Sequence, residues 1–168
     1  MDTLLLLERL IGFGIAFHGS QKLFGWFGGY GLAGTGGWLE SIGYRPGKLF
    51  AFSAGLSEVL AGLLIVLGLA APVAAMLIVA VMIVAASQHV RTGFDWTKGG
   101  WEPAALYTAI ALGLAASGPG AYSLDAALGL HNVWTPIVTW SLIGLGVLGG
   151  LANLAIRRKP TVAEATAT

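Results

Sequence analysis

"LFAFSAGLSEVLAGLLIVLGLAAPVAAMLIVAVMIVAASQHV", residues 49–90, decides the fold, because it is almost wholly apolar and carries a single carboxylate, Glu58. A helix needs about 20 mostly apolar residues to cross about 30 Å of hydrocarbon, so this stretch is long enough for two spans. Proline is tolerated in the first turn of a helix but not in its middle. Pro72 therefore predicts a tight hairpin between antiparallel spans at about 49–70 and 72–90.

The rest of the chain is equally poor in charge. Of its 168 residues, 56% are hydrophobic and 10% are charged, and the mean hydropathy is +0.79. A soluble domain keeps about a quarter of its residues charged. Further apolar windows at about 3–24, 103–117 and 133–156 predict an all-α integral membrane protein with five spans. The absence of cysteine excludes disulfides, thiolate metal sites and iron–sulfur ligation by the chain's own residues.

The basic residues lie in alternate loops. Because cytoplasmic flanks retain Lys and Arg, this pattern predicts a multi-pass protein with its N-terminus outside and its C-terminus in the cytoplasm. The residues concerned are Arg45, Lys48, Arg91, Lys98, Arg157, Arg158 and Lys159, and the exception is Arg9, near the outer end of the first span, whose neighbour Glu8 offers a partner. The N-terminal "MDTLLLLERL" lacks the basic region and cleavage site of a signal peptide, so we expect an uncleaved first span. The final "TVAEATAT" has the composition of a disordered tail.

Two loops have features of their own. In the glycine-rich loop 28–48, Thr35 is placed to cap a short helix lying in the membrane interface, which would include Trp38. In the loop after the fourth span, Ser123 is placed to cap a short surface helix that contains Asp125. The glycines form no phosphate-binding motif, and we expect no nucleic-acid partner.

Small residues four apart predict close contacts between helices. Gly12 with Ala16, and Gly146 with Gly150, have this spacing. We expect both pairs to pack helices within the bundle. A homo-oligomer contact through Gly146 and Gly150 is the alternative.

Polar side chains interrupt four of the spans. Ionisable groups in a bilayer are costly, so each needs a partner or a purpose. At about 1.5 Å per residue, His18 lies about 22 Å along the first span, and the other polar groups reach a similar level in theirs. We therefore predict one buried polar cavity in the cytoplasmic half. Its candidate residues are His18, Lys22, Glu58, His89 and Glu102.

Simpler interpretations stay open for some of these residues. Lys22 and Arg91 lie near span ends, where long cationic side chains reach the headgroups. Glu102 begins a helix, where a carboxylate complements the helix dipole. Glu58 lies mid-span with no cationic neighbour in its own helix, so it needs a partner from another span or must stay protonated.

Five stretches, in register over roughly residues 4 to 128, carry a resemblance to a known family. They read "RLIGFGIAFHGSQKLFG", "GLSEVLAGLLIVLGL", "APVAAMLIVAVMIVAASQHV", "GGWE" and "GPGAYSLD". In these stretches the chain resembles the DoxX family of small bacterial membrane proteins.

The resemblance implies a four-helix bundle in the bacterial plasma membrane. Members are described as the membrane subunit of a thiosulfate:quinone oxidoreductase or terminal quinol oxidase, and in mycobacteria as part of an oxidoreductase complex linked to thiol redox and superoxide detoxification. This chain departs from the pattern by adding a fifth span. We therefore divide it into a four-helix domain 1–132, a fifth helix 133–156 and a cytoplasmic tail 157–168.

The first functional hypothesis is a membrane subunit of a redox complex that binds a quinone head group. His18 and His89 would hydrogen-bond the quinone oxygens, Glu58 and Glu102 would relay protons, and Lys22 would anchor an anionic group. The catalytic candidates are thus Glu58, His89 and His18. Trp26, Trp101 and Phe24 would supply apolar walls. Electrons must come from a partner subunit, because the chain has no cysteine cluster, flavin motif or haem-attachment sequence.

Other classes of function stay open. The second hypothesis is a non-catalytic assembly or scaffold protein surrounded by membrane lipids. Its polar cluster would then serve only to fix the register of the helices. A metal or haem site from His18, His89, Glu58 and Glu102 is the third hypothesis, but their spacing matches no known motif, so we expect no metal. A transporter is less favoured, because no inverted repeat is visible.

Overall fold

A computed structural model describes residues 3–118 and 120–158, and within them the chain is all-α, as the sequence predicts. The five long helices each begin and end within three residues of the predicted apolar windows. Their bounds are α1 Thr3–Phe24, α2 Gly31–Ser41, α3 Gly47–Leu67, α4 Ala71–His89, α5 Glu102–Ser117, α6 Leu124–Ala127 and α7 Pro136–Ala155. Short 3-10 turns lie at Trp26–Gly28, Val90–Thr92, Trp96–Lys98 and Leu130–Asn132. The predicted tail from residue 159 lies outside the described residues.

Glycines set the register between α1 and α3. A Cβ atom added at Gly12 would lie 2.7 Å from the carbonyl oxygen of Gly62, and one at Gly19 would lie 2.6 Å from that of Gly55. The two helices therefore touch through their backbones at two levels and run antiparallel. This register brings the C-terminal half of α1 against the middle of α3. The predicted packing role of Gly12 is confirmed, and the matching glycines of α3 were not singled out from the sequence.

The hairpin predicted at Pro72 is confirmed. Helix α3 ends at Leu67 and is followed by Gly68, whose φ of +62° suits glycine. Helix α4 then begins at Ala71 with proline in its first turn. The Asp125 carboxylate accepts a hydrogen bond from the Ala70 N–H at 2.9 Å. Ser123 caps α6 as predicted, accepting from the Ala126 N–H at 3.1 Å. Asp125 is only 1% exposed, so α6 is packed against the hairpin rather than lying free on the surface.

Helix α7 lies along α4. A Cβ atom at Gly146 would meet the backbone of Met76, and one at Gly150 would lie 2.9 Å from the side chain of Ile83. Both glycines are buried within the chain. The predicted pair therefore packs the bundle, and its surface is not available for the contact between two copies that was the alternative.

The end of α7 is anchored on the loop between α2 and α3. The Arg157 Nε–H donates to the Ile42 carbonyl at 2.6 Å, and its guanidinium lies 5.8 Å from the centre of the Tyr44 ring. The Arg158 N–H donates to the Gly43 carbonyl at 2.9 Å. Burial raises the pKa of the Tyr44 hydroxyl, and the Arg157 charge offsets part of that rise. This end of the bundle, which also carries α2, is called the α2 end below, and the end with α6 the α6 end.

The short helix predicted after the first span is present as α2, but its start differs from the prediction. It begins at Gly31, and Thr35 lies inside the helix rather than at its cap. The preceding turn explains the earlier start. Gly25 and Gly28 adopt positive φ there, which reverses the chain directly after α1 and allows helix formation to resume at once.

Three helices in the described part of the chain are long and apolar enough to cross a membrane by length and composition. They are Gly47–Leu67, Ala71–Thr92 and Pro136–Ala155. The sequence predicts α1 and α5 as spans too. Helix α1 contains Glu8, Arg9 and Lys22, and the 16 residues of α5 extend only about 24 Å, less than the hydrocarbon thickness of about 30 Å.

Candidate functional site

A cavity of about 320 Å³ lies where α1, α3, α4 and α5 meet toward the α2 end. We call it the central cavity. Its polar and aromatic lining residues are His18, Lys22, Glu58, His89, Trp101 and Tyr107, and Ile15 and Met82 complete an apolar side. The cavity thus gathers polar side chains that are far apart along the chain.

The centre of the polar lining is an ion pair between α1 and α3. The Lys22 Nζ atom donates to the Glu58 Oε2 atom at 2.5 Å. The Glu58 side chain is 3% exposed and that of Lys22 is 31% exposed. Lys22 is therefore the partner that Glu58 was predicted to need, and its ammonium is engaged within the bundle rather than only extended toward the headgroups.

His89 is held by the loop that follows α4. Its Nδ1 atom lies 2.8 Å from the Gly99 carbonyl oxygen. A carbonyl can only accept, so Nδ1 carries the hydrogen and Nε2 is left to accept or take up a proton. Asp95 supports this loop: the Thr97 hydroxyl and backbone N–H donate to its carboxylate and lower its pKa.

His18 has the same tautomer for a similar reason. The Gln21 Nε2 amide donates to the Phe27 carbonyl at 3.3 Å, which fixes the Gln21 Oε1 atom as the acceptor on its other side. That oxygen lies 3.2 Å from His18 Nδ1, so Nδ1 donates and Nε2 is free. The His18 ring also meets the edge of Tyr107, with ring centres 6.1 Å apart.

A second cavity, of about 600 Å³, adjoins the central cavity under α2. We call it the α2 cavity. It shares His18 and Lys22 with the central cavity and is also lined by Gln21, Thr35 and Trp38. Both histidines are exposed although Glu58 is buried. The predicted site is therefore an open cleft rather than a closed cavity.

Comparison with known families assigns the chain. The family model described as DoxX matches residues 4–90, more than half of the chain. The chain belongs to the DoxX family. This confirms the resemblance inferred from the sequence and supports a membrane location. No curated protein and no solved structure shows significant similarity to it.

The DoxX match spans α1 to α4, and so includes the helices that carry His18, Lys22, Glu58 and His89. The fourth wall of the central cavity comes from α5, outside the matched region. It contributes Tyr107, while Trp101 precedes its first turn.

Some residues predicted for the site of this DoxX protein lie elsewhere. Glu102 does not line the central cavity, and its Oε2 atom accepts from the Trp96 N–H at 3.2 Å, closing the loop before α5. Phe24 and Trp26 stack on each other at 4.7 Å and are each 58% exposed, outside the cavity wall. Trp101 does line it.

Tyr107 is the lining residue that sequence reasoning missed. It lies three and four positions after Ala104 and Pro103, which also line the cavity, so the three share one face of α5. This spacing is visible in the sequence, but it identifies Tyr107 as a lining residue only when Trp101 and its neighbours are already known to face the cavity.

Proposed function

We propose that this DoxX-family protein is the membrane subunit of a quinone-linked redox complex and that the central cavity binds the quinone head group. The observation that carries the proposal is the pair of histidines, His18 and His89, which line the same cavity and each have Nδ1 bonded to a carbonyl oxygen, with no hydrogen bond at Nε2 to any of the described residues. Two such groups suit a flat molecule with two opposed oxygens.

The other lining residues fit the same ligand. A quinone takes up two electrons and two protons to become a quinol. The Lys22 ammonium has donors beyond the one used by Glu58, and the Tyr107 hydroxyl is a further donor. Ile15 and Met82 provide apolar surface for a ring.

Proton handling follows from the histidine tautomers. A neutral histidine with hydrogen on Nδ1 accepts at Nε2 and so favours a hydroxyl donor, whereas the protonated ring donates at Nε2 and favours a carbonyl oxygen. In this proposal each histidine exchanges one proton with the bound quinone or quinol. Because the α2 cavity adjoins at His18, it offers a polar route for that proton.

The supply of electrons and the orientation belong to the same proposal. A redox partner subunit delivers the electrons, since the sequence contains no cysteine cluster, flavin motif or haem-attachment sequence. The C-terminus is cytoplasmic and the N-terminus outside, which puts the central cavity in the cytoplasmic half of the membrane. The exposed basic residues Lys48, Arg91 and Lys98 all lie at the α2 end, in agreement with that orientation.

The test is quinone binding by the purified protein in lipid nanodiscs. We expect His89→Ala to weaken binding of a short-chain quinone about tenfold, the loss of one hydrogen bond, with only the small loss of thermal stability that follows from removing the exposed His89–Gly99 hydrogen bond. Glu58→Gln should weaken it as well. Glu8→Gln, the same chemical change outside the central cavity, is the matched control. A wild-type protein that binds no quinone, or a His89→Ala variant that binds it as tightly as wild type, would contradict the proposal.

The scaffold alternative has one observation in its favour, because the Lys22–Glu58 pair joins α1 to α3 and would fix their register without any ligand. The same experiment separates the two functions. A scaffold loses stability and complex recovery together when Glu58 is changed, and it is indifferent to His89, which makes no ion pair with an acidic residue in the described part of the chain.

A further inference from the structure

A third cavity lies on the surface of the helix bundle, where α4 and α5 are in contact. It has a volume of about 360 Å³ and is lined almost wholly by apolar side chains. We call it the α4–α5 groove. Three of its lining residues, Met82, Trp101 and Ala104, also line the central cavity, so the two lie side by side and share a wall.

Small side chains create this groove. Helix α5 packs mainly on α4, and it presents Ala104, Ala105 and Ala109 along the contact. The hydroxyl of Thr108 also faces the groove, but it donates to the Ala104 carbonyl at 2.8 Å within its own helix. The groove therefore offers hydrocarbon contact and little polar recognition.

The groove opens toward the membrane. Ala109 on its lining and Leu106 beside it are exposed, and on a membrane-embedded helix such a surface faces lipid. The α2 cavity is the other space that adjoins the central cavity, and its lining mixes apolar surface, including Tyr30 and Trp38, with the polar side chains of Gln21 and Thr35. The α4–α5 groove is thus almost wholly apolar, whereas the α2 cavity also offers polar groups.

We propose that the α4–α5 groove binds the hydrocarbon tail of the ligand whose head lies in the central cavity. This inference rests on the proposed function and specifies its substrate class as a long-tailed amphiphilic quinone that enters sideways from the bilayer. Because the two cavities share Met82, Trp101 and Ala104, a ligand that passes between them at this wall keeps its head near the histidines and its tail in an apolar environment. A tail directed through the α2 cavity would instead pass Gln21, Lys22 and Thr35, where contact with polar groups and water reduces the gain for each methylene.

Trp101 has a special position in this arrangement. Its ring lies at the junction of the two cavities and is held edge to face against Phe94, with centres 4.9 Å apart. It is placed to lie between the head and the tail of a ligand that occupies both cavities.

The test fills the groove without touching the polar residues. Ala109→Phe places a ring in the groove, and Ala116→Phe is the matched control, an exposed alanine of the same helix that lines none of the cavities described above. Two probes with the same benzoquinone head, one without a tail and one with a decyl chain, are titrated in nanodiscs by quenching of tryptophan fluorescence.

We expect Ala109→Phe to weaken decyl-quinone binding at least tenfold and to leave the tailless probe unchanged, while Ala116→Phe alters neither. Unchanged binding of the tailless probe also shows that the variant is folded. Decyl-quinone binding unaffected by Ala109→Phe would overturn the tail assignment, with the groove then left to membrane lipid, yet leave the head-group proposal intact. Equal loss of both probes would also overturn it. A wild-type protein that binds neither probe would refute the proposed function itself.

Discussion

At the scale of single residues, the ion pair of Lys22 and Glu58 is the feature with the highest cost of burial. A carboxylate that is 3% exposed is tolerated in its charged form only with a cation and hydrogen bonds close by. Lys22 supplies both from the neighbouring helix at 2.5 Å. The pair adds little net charge to the cavity, because the two side chains carry opposite charges.

We predict that the two members of the pair depend strongly on each other. Lys22→Met leaves a buried carboxylate without its cation and should cost about 3 kcal/mol in the free energy of unfolding. Glu58→Gln leaves a partly exposed ammonium and should cost less. The double variant should lose less than the sum of the two, because it contains no stranded charge. Unfolding in mixed detergent micelles measures all three, and strictly additive losses would contradict the prediction.

Single residues also show where sequence reasoning stops. Glu58 and His89 were identifiable because a charged or titratable side chain in an apolar helix is costly unless it is used. Tyr107 gave no such signal, because a neutral phenol is tolerated in an apolar helix and does not require a charged partner. Glu102 gave a false one, because the 3-10 turn at Trp96 brings a backbone donor to its carboxylate.

At the scale of helices, contact between α1 and α3 depends on glycine. At Gly19 an added Cβ atom would meet backbone atoms of Gly55 and Val59 within 2.7 Å. Backbone atoms cannot move aside as a flexible side chain does, so the helices would have to separate. That separation would also pull Lys22 away from Glu58, since these residues lie on the same two helices.

We predict opposite effects for the same substitution at two glycines. Gly19→Ala should destabilise the protein by about 1–3 kcal/mol through overpacking, and weaken quinone binding with it. Gly113→Ala, inside α5, should be neutral or slightly stabilising, because nothing lies within 4 Å of its added Cβ and alanine favours helix. Thermal unfolding of the two variants in the same detergent decides the matter. Equal effects at the two positions would show that close approach is not what requires glycine at 19.

Helix positions were largely predictable, and helix contacts were not. Apolar windows and Pro72 located five long helices because length and hydropathy are local properties. The burial of Asp125 against the Ala70 N–H was not foreseen, because it depends on the loop after α5 folding back over the α3–α4 turn. The start of α2 at Gly31 depended on positive φ angles that composition alone does not reveal.

At the scale of the whole molecule, the two ends of the bundle differ in chemistry. The α2 end carries the exposed basic residues Lys48, Arg91 and Lys98, the anchored end of α7 and the α2 cavity. The α6 end is closed by the buried Asp125 and carries exposed aromatic and apolar residues such as Tyr122 and Val133. The proposed orientation places the α2 end in the cytoplasm.

The absence of cysteine makes this orientation directly testable. Any introduced cysteine is the only thiol in the chain. We predict that Tyr122→Cys, at a residue that is 72% exposed, reacts with a membrane-impermeant maleimide on intact cells. Lys98→Cys, whose parent side chain is 75% exposed, should react only after the membrane is opened. The cysteine-free parent is the control, and the reverse labelling pattern would contradict the orientation.

The sequence by itself determined that this is a helical membrane protein of the DoxX family, where its helices lie, and that Glu58 needs a partner. These properties follow from hydropathy, proline positions and the cost of charge in lipid, all of which act locally along the chain. Only the tertiary structure decided that the partner is Lys22, that Gly146 and Gly150 pack within the chain, and that Tyr107 rather than Glu102 completes the cavity. Those outcomes depend on helix register, which close contacts between distant glycines and backbone carbonyls fix and which no single segment encodes.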